Sequence, residues 1–91
     1  IDKNLLLEVQ GKSAYLFTHL GRIKNVIEVT GMGLMIGLLT TKKARAVSEA
    51  CLERGLIVLT AKDRVRLLPP LTIKKDEIDF GLKILNEVIS E

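Results

Sequence analysis

Leu56-Ile57-Val58-Leu59-Thr60-Ala61-Lys62-Asp63-Arg64-Val65-Arg66-Leu67-Leu68-Pro69-Pro70-Leu71-Thr72-Ile73 is the stretch whose reading decides how this 91-residue chain folds. It holds two apolar, strand-forming runs, one around Leu56 to Leu59 and one around Val65 to Leu68, joined by a short polar turn. Pro69 and Pro70 end the second run, because neither has an N–H to offer a neighbouring strand and each fixes its own φ. Arg66 stands inside that run, between Val65 and Leu67. A guanidinium among β-formers must reach solvent, an acidic partner or a ligand carboxylate, since a buried unpaired charge is strongly destabilising. Its planar fork suits a carboxylate, which accepts two parallel hydrogen bonds. On spacing alone the plainer reading is a surface arginine on an edge strand or a structural ion pair.

Working outward, Ala44, Val47, Ala50 and Cys51 keep helical spacing upstream of the stretch, with Thr40 or Thr41 as the cap and Gly55 as the stop. Downstream, Ile78, Leu82, Leu85, Val88 and Ile89 mark an amphipathic helix from about Lys75 to Ile89. Glu77 stands where half of a capping box belongs, but Lys74 at the N-cap has no acceptor oxygen. Ile73 is placed to staple onto Ile78.

Further upstream, Val26 to Val29 and Leu34 to Leu39 read as a β-hairpin around Thr30-Gly31-Met32-Gly33, and glycines 31, 33 and 37 suggest positive φ or close backbone approach. The first segment, about Asp2 to Leu20, puts Leu6, Val9, Leu16, Phe17 and Leu20 on one helical stripe, with Asp2 as N-cap and Gly21 as stop. The predicted order is therefore α-β-β-α-β-β-α. It implies an α+β, two-layer fold: a small sheet of three to four mainly antiparallel strands covered by helices, because strands this short need a cover.

Composition narrows the function. The chain is 47% hydrophobic and 27% charged, which suits one small globular domain. Its apolar runs are too short to span a bilayer, and no membrane association is expected. Cys51 is the single cysteine, so no internal disulfide can form and the cytoplasm is the default compartment. His19 is also alone, so neither a metal site nor a catalytic triad is expected, and His19 is placed on a solvated helix face. The net charge of +3 is spread among interleaved acids, with 3% aromatic residues to stack on bases, which argues against a nucleic-acid partner. Gly11-Lys12-Ser13 lacks the upstream glycine of a phosphate-binding loop, since that position is Leu6, and glycines 31, 33 and 37 precede a β run where a dinucleotide fingerprint needs a helix.

Val29-Thr30-Gly31-Met32-Gly33-Leu34-Met35-Ile36-Gly37 and Val65-Arg66-Leu67-Leu68-Pro69-Pro70-Leu71-Thr72-Ile73, separated by a helix that ends Glu53-Arg54-Gly55-Leu56, together resemble the C-terminal part of class III, pyridoxal-phosphate-dependent aminotransferases. The resemblance covers essentially the whole chain and leans to the acetylornithine branch, with ornithine, succinylornithine and 4-aminobutyrate branches as alternatives. It implies that residues 1–91 are the C-terminal small domain of a larger enzyme that passes an amino group from N-acetylornithine to 2-oxoglutarate in arginine biosynthesis. It further implies that Arg66 binds the substrate α-carboxylate, and that reading displaces the plainer one.

The full-length parent would carry pyridoxal phosphate and act as a homodimer on amino-acid and 2-oxo-acid substrates. The family's covalent cofactor lysine, the partner of the pyridine nitrogen and the phosphate-binding groups belong to its large domain, which no stretch here resembles. The 91 residues alone are therefore expected to bind no cofactor, to hold no catalytic residue and to be inactive. Ile1 in place of a starting methionine fits a processed or truncated chain. Three positions depart from the family pattern: Thr30 where an arginine is frequent, Ser13 where a glycine is, and Lys74 where a hydroxyl residue is. Thr60 and Lys62 are expected in a solvent-exposed turn. A free-standing amino-acid-binding regulatory module is the alternative of a different class.

Overall fold

The computed structural model describes residues 3–32, 34–70 and 72–91. Its elements run α1 (Lys3–Gly21), β1 (Val26–Met32), β2 (Met35–Thr40), α2 (Ala44–Glu53), β3 (Leu59–Ala61), β4 (Arg64–Leu67) and α3 (Lys75–Ser90). This is the order expected from the sequence. The strands form one antiparallel sheet in the order β1-β2-β4-β3. Asp2 and Gly33, assigned above to a cap and a hairpin, lie outside the described residues.

Side-chain alternation fixes which face of the sheet is inside. Ile36 and Leu38 of β2 and Val65 of β4 are buried, and Leu38 pairs directly with Val65. Against this face pack Leu16 and Leu20 of α1, Val47 and Cys51 of α2, and Ile78, Leu85, Val88 and Ile89 of α3. The core is aliphatic, as the scarcity of aromatics requires. Cys51 has no exposed surface, and burial raises its thiol pKa, so it behaves as a small hydrophobe.

Three local expectations change. The run Leu56 to Leu59 is not a strand, since β3 begins only at Leu59. Gly55 takes a φ of 89° and the Leu56 N–H donates to the Cys51 carbonyl at 2.9 Å, so Leu56 is tied to the end of α2. Leu56 and Val58 are apolar because this connector lies on the core. Helix α2 starts at Ala44 with Lys43 at its N-cap; Thr40 belongs to β2, and its hydroxyl accepts the Lys42 N–H at 3.2 Å. Finally, the stripe on α1 is fully buried only in its second half, at Leu16 and Leu20, while Leu6 is 41% exposed and Val9 half-buried.

The start of α3 matches its sequence. Glu77 accepts the Lys74 N–H at 3.1 Å, and no side chain of Lys74 returns the bond. Helices α1 and α3 are clasped by a polar cluster: the Tyr15 hydroxyl donates to Asp79, whose other oxygen accepts Lys75 Nζ at 3.0 Å. No helix among the described residues is long and apolar enough to cross a membrane.

Candidate functional site

All three helices cover one face of the sheet, so its other face is bare. Directly paired residues of adjacent strands share a face. Thr30 pairs with Gly37, Gly37 with Arg66 and Arg66 with Leu59, which makes one row across all four strands on the bare side. Arg66 follows from its neighbour: Val65 is 1% exposed and points inward, so Arg66 must point outward. It is exposed, and among the described residues it takes part in none of the ion pairs. A structural ion pair with a described residue, one of the plainer readings, is therefore not what Arg66 makes.

Gly37 supplies the space beside it. A methyl group there would stand a tight 3.1 Å from Thr30 Oγ1 and 3.9 Å from Arg64 Cδ, so the glycine lets these side chains close over it and adds none of its own to the floor of the hollow. The hollow is open, has a volume of about 630 Å³, and is lined by Thr30, Gly37, Arg64, Arg66, Leu68 and Met35 among others. Gly37 serves by its missing side chain, since positive φ is found at Gly31 and Gly55 instead.

Arg64, which the sequence reading did not single out, lies two residues from Arg66 on the same face. Its Nη2 reaches Glu28 Oε2 at 3.2 Å across β2, while its Nη1 is buried with no acceptor among the described residues. The i, i+2 spacing of two arginines in a β run was the signal available for this. Thr30 also lines the hollow, with a hydroxyl. Lys62 is exposed in the two-residue turn between β3 and β4 with a φ of 57°, and Thr60 is exposed on β3.

The other candidates stay apart from the hollow. His19 is half-buried, its ring centroid 4.3 Å from that of Tyr15 on α1, so it is not on a fully solvated face. Among the described residues no group of three or more histidine, cysteine or acidic side chains is placed to hold a metal. No described lysine is buried, and the Lys42 ammonium is taken by the Val88 carbonyl at 2.6 Å. What the arrangement offers chemically is one unpaired guanidinium over an open, partly apolar hollow, suited to hold a carboxylate.

Comparison with known proteins gives the chain its relatives. The family described as Aminotransferase class-III matches residues 1–89. An acetylornithine aminotransferase of Streptococcus mutans is 54% identical over 67 residues, covering 72% of this chain and 18% of that protein. One from Haemophilus ducreyi is 36% identical across the whole of this chain and 24% of its own length. The crystal structure of N-acetylornithine aminotransferase from Stenotrophomonas maltophilia superposes with a TM-score of 0.89 at 30% identity, over 98% of this chain and 27% of that one. The chain thus spans about a fifth to a quarter of the length of these relatives.

Proposed function

The chain belongs to the class III aminotransferases, and from that footing we propose that it is the C-terminal small domain of an acetylornithine-type enzyme in which Arg66 holds the α-carboxylate of the substrate. The relatives' names support the donor, N-acetylornithine, and the family supports pyridoxal phosphate in the full-length protein. The cofactor's binding groups are assigned to the part of the enzyme outside these 91 residues, which therefore do not catalyse the reaction alone. A homodimer in the cytoplasm, acting in arginine biosynthesis, is the setting that goes with this reading.

The observation that carries the role of Arg66 is its exposed, unpaired guanidinium in the row Thr30-Gly37-Arg66-Leu59, with a glycine leaving room for a ligand beside it. In a 2-oxo acid the carboxylate adjoins the carbon that receives the amino group. A bidentate arginine therefore fixes the reacting carbon as well as adding affinity. A free-standing regulatory module finds less support, because Met35, Leu59 and Leu68 beside the hollow are 55%, 51% and 51% exposed, an apolar rim that suits a covering domain.

In the intact enzyme, Arg66→Ala should raise the KM for 2-oxoglutarate about 10- to 100-fold, the loss of one charge-assisted pair. The absorbance of the bound cofactor should stay unchanged, and Arg66→Lys should recover part of the loss. An unchanged KM in Arg66→Ala would overturn the assignment.

A further inference from the structure

Arg66 is not the only cation facing the hollow. Arg64 is two residues away on β4, about 6.6 Å along the strand at two residue rises, and both side chains line the same space. Among the described residues no acidic side chain lines it. Among the described residues the acid paired with Arg64 is Glu28, which is not among the residues lining the hollow and reaches Arg64 by one contact, Nη2 to Oε2 at 3.2 Å. That contact is not a two-bond fork, and the side chains of Arg64 and Glu28 are 33% and 50% exposed, so water screens the pair. Since Arg64 Nη1 finds no acceptor among the described residues, Glu28 offsets the guanidinium only in part. The hollow therefore carries one full positive charge from Arg66 and a partly offset one from Arg64.

We propose that Arg64 is a further substrate-binding residue of this site, a second guanidinium whose field acts on the carboxylate held by Arg66 and whose strength is set by Glu28. The inference rests on the reading of Arg66 given above and adds two residues with opposite effects. Removing the Arg64 charge weakens attraction for the anionic substrate. Removing the Glu28 charge strengthens it, because Arg64 then acts without a counter-ion.

The test is steady-state kinetics of the intact enzyme with 2-oxoglutarate for Arg64→Gln, Glu28→Gln and Arg66→Ala. Arg64→Gln is expected to raise KM about 3- to 10-fold and Glu28→Gln to lower it about 2- to 3-fold, both with kcat nearly constant and both shifts shrinking toward one at 0.5 M salt, roughly, where screening is strong. A purely structural ion pair would move both variants the same way and would not respond to salt in this manner. If Arg66→Ala raises KM while Arg64→Gln and Glu28→Gln leave it alone, or shift it in the same direction, this inference fails and the role of Arg66 stands. If Arg66→Ala leaves KM unchanged, the reading beneath it fails. Should Arg64→Gln not fold, Glu28→Gln decides, since only a released Arg64 charge lowers KM.

Discussion

The polar clasp between α1 and α3 depends on the charge state of a few atoms. The Tyr15 hydroxyl, first, and the Lys75 ammonium, second, hold the Asp79 carboxyl below its ordinary value of 3.8. The same Asp79 bond is the main reason that Tyr15 and Lys75 titrate above their ordinary 10.0 and 10.5. A lowered carboxyl pKa contributes stability above the unfolded value, lost as pH falls through the folded one. A raised tyrosine or lysine pKa contributes stability below the unfolded value, lost as pH rises through the folded one. Tyr15→Phe should therefore lower the melting temperature by a nearly constant amount from roughly pH 5 to 9. The gap should narrow at both ends, and thermal melts of the two proteins across pH check this. A gap that grew toward acid would contradict the Asp79 partnership. None of this was legible in the sequence, because Tyr15 and Asp79 are 64 positions apart and only the packing of two helices joins them. The outward side of Arg66, by contrast, follows from its buried immediate neighbour Val65, whereas the role proposed for it came only from the family resemblance.

The elements themselves were readable wherever periodicity was clear, as in α3 and in the chain order of helices and strands. They were misread where an apolar run served the core without joining the sheet, as at Leu56 to Val58. Glycines show the same division between local and tertiary causes. Gly31 in β1 has a φ of 147°, and a methyl group there would stand 2.0 Å from the Met35 carbonyl oxygen. Gly31→Ala should destabilise the chain by roughly 3 kcal/mol or more, because backbone, not a movable side chain, stands in the way. Gly11, exposed within α1, has nothing within 4 Å of that position. Gly11→Ala should stabilise by about 0.5–1 kcal/mol, through helix propensity and a less free unfolded chain. Urea titrations of the two variants should move their midpoints in opposite directions. Matching shifts would show that the hairpin at Gly31 is looser than its geometry indicates.

At the scale of the whole molecule, a second, apolar groove opens where β4 runs into Pro69 and Pro70, lined by Ile57, Leu68, Pro69 and Pro70 and by Ile78 and Leu82 of α3, and it shares Leu68 with the hollow. The accessible surface is 5939 Å², somewhat above the roughly 5,300 Å² expected of a compact monomer of this mass. Ile57 and Leu68 on the groove's rim are 79% and 51% exposed. Their apolar character was plain in the sequence, where it counted toward strands. That it serves a surface could not be read there, because burial within one domain and burial between two leave the same composition. Under the proposed domain reading this surface is covered in the intact enzyme and open in the 91 residues alone, so one pair of substitutions should act with opposite signs. Ile57→Ser with Leu68→Ser should reduce binding of the dye ANS and self-association by the isolated chain, with little loss of its stability. In the intact enzyme the same pair should lower the melting temperature, because side chains buried there would lose about 1–2 kcal/mol each of apolar burial. Equal melting temperatures for the altered and unaltered intact enzymes would mean that the groove faces water in both settings, and that the covering domain lies elsewhere.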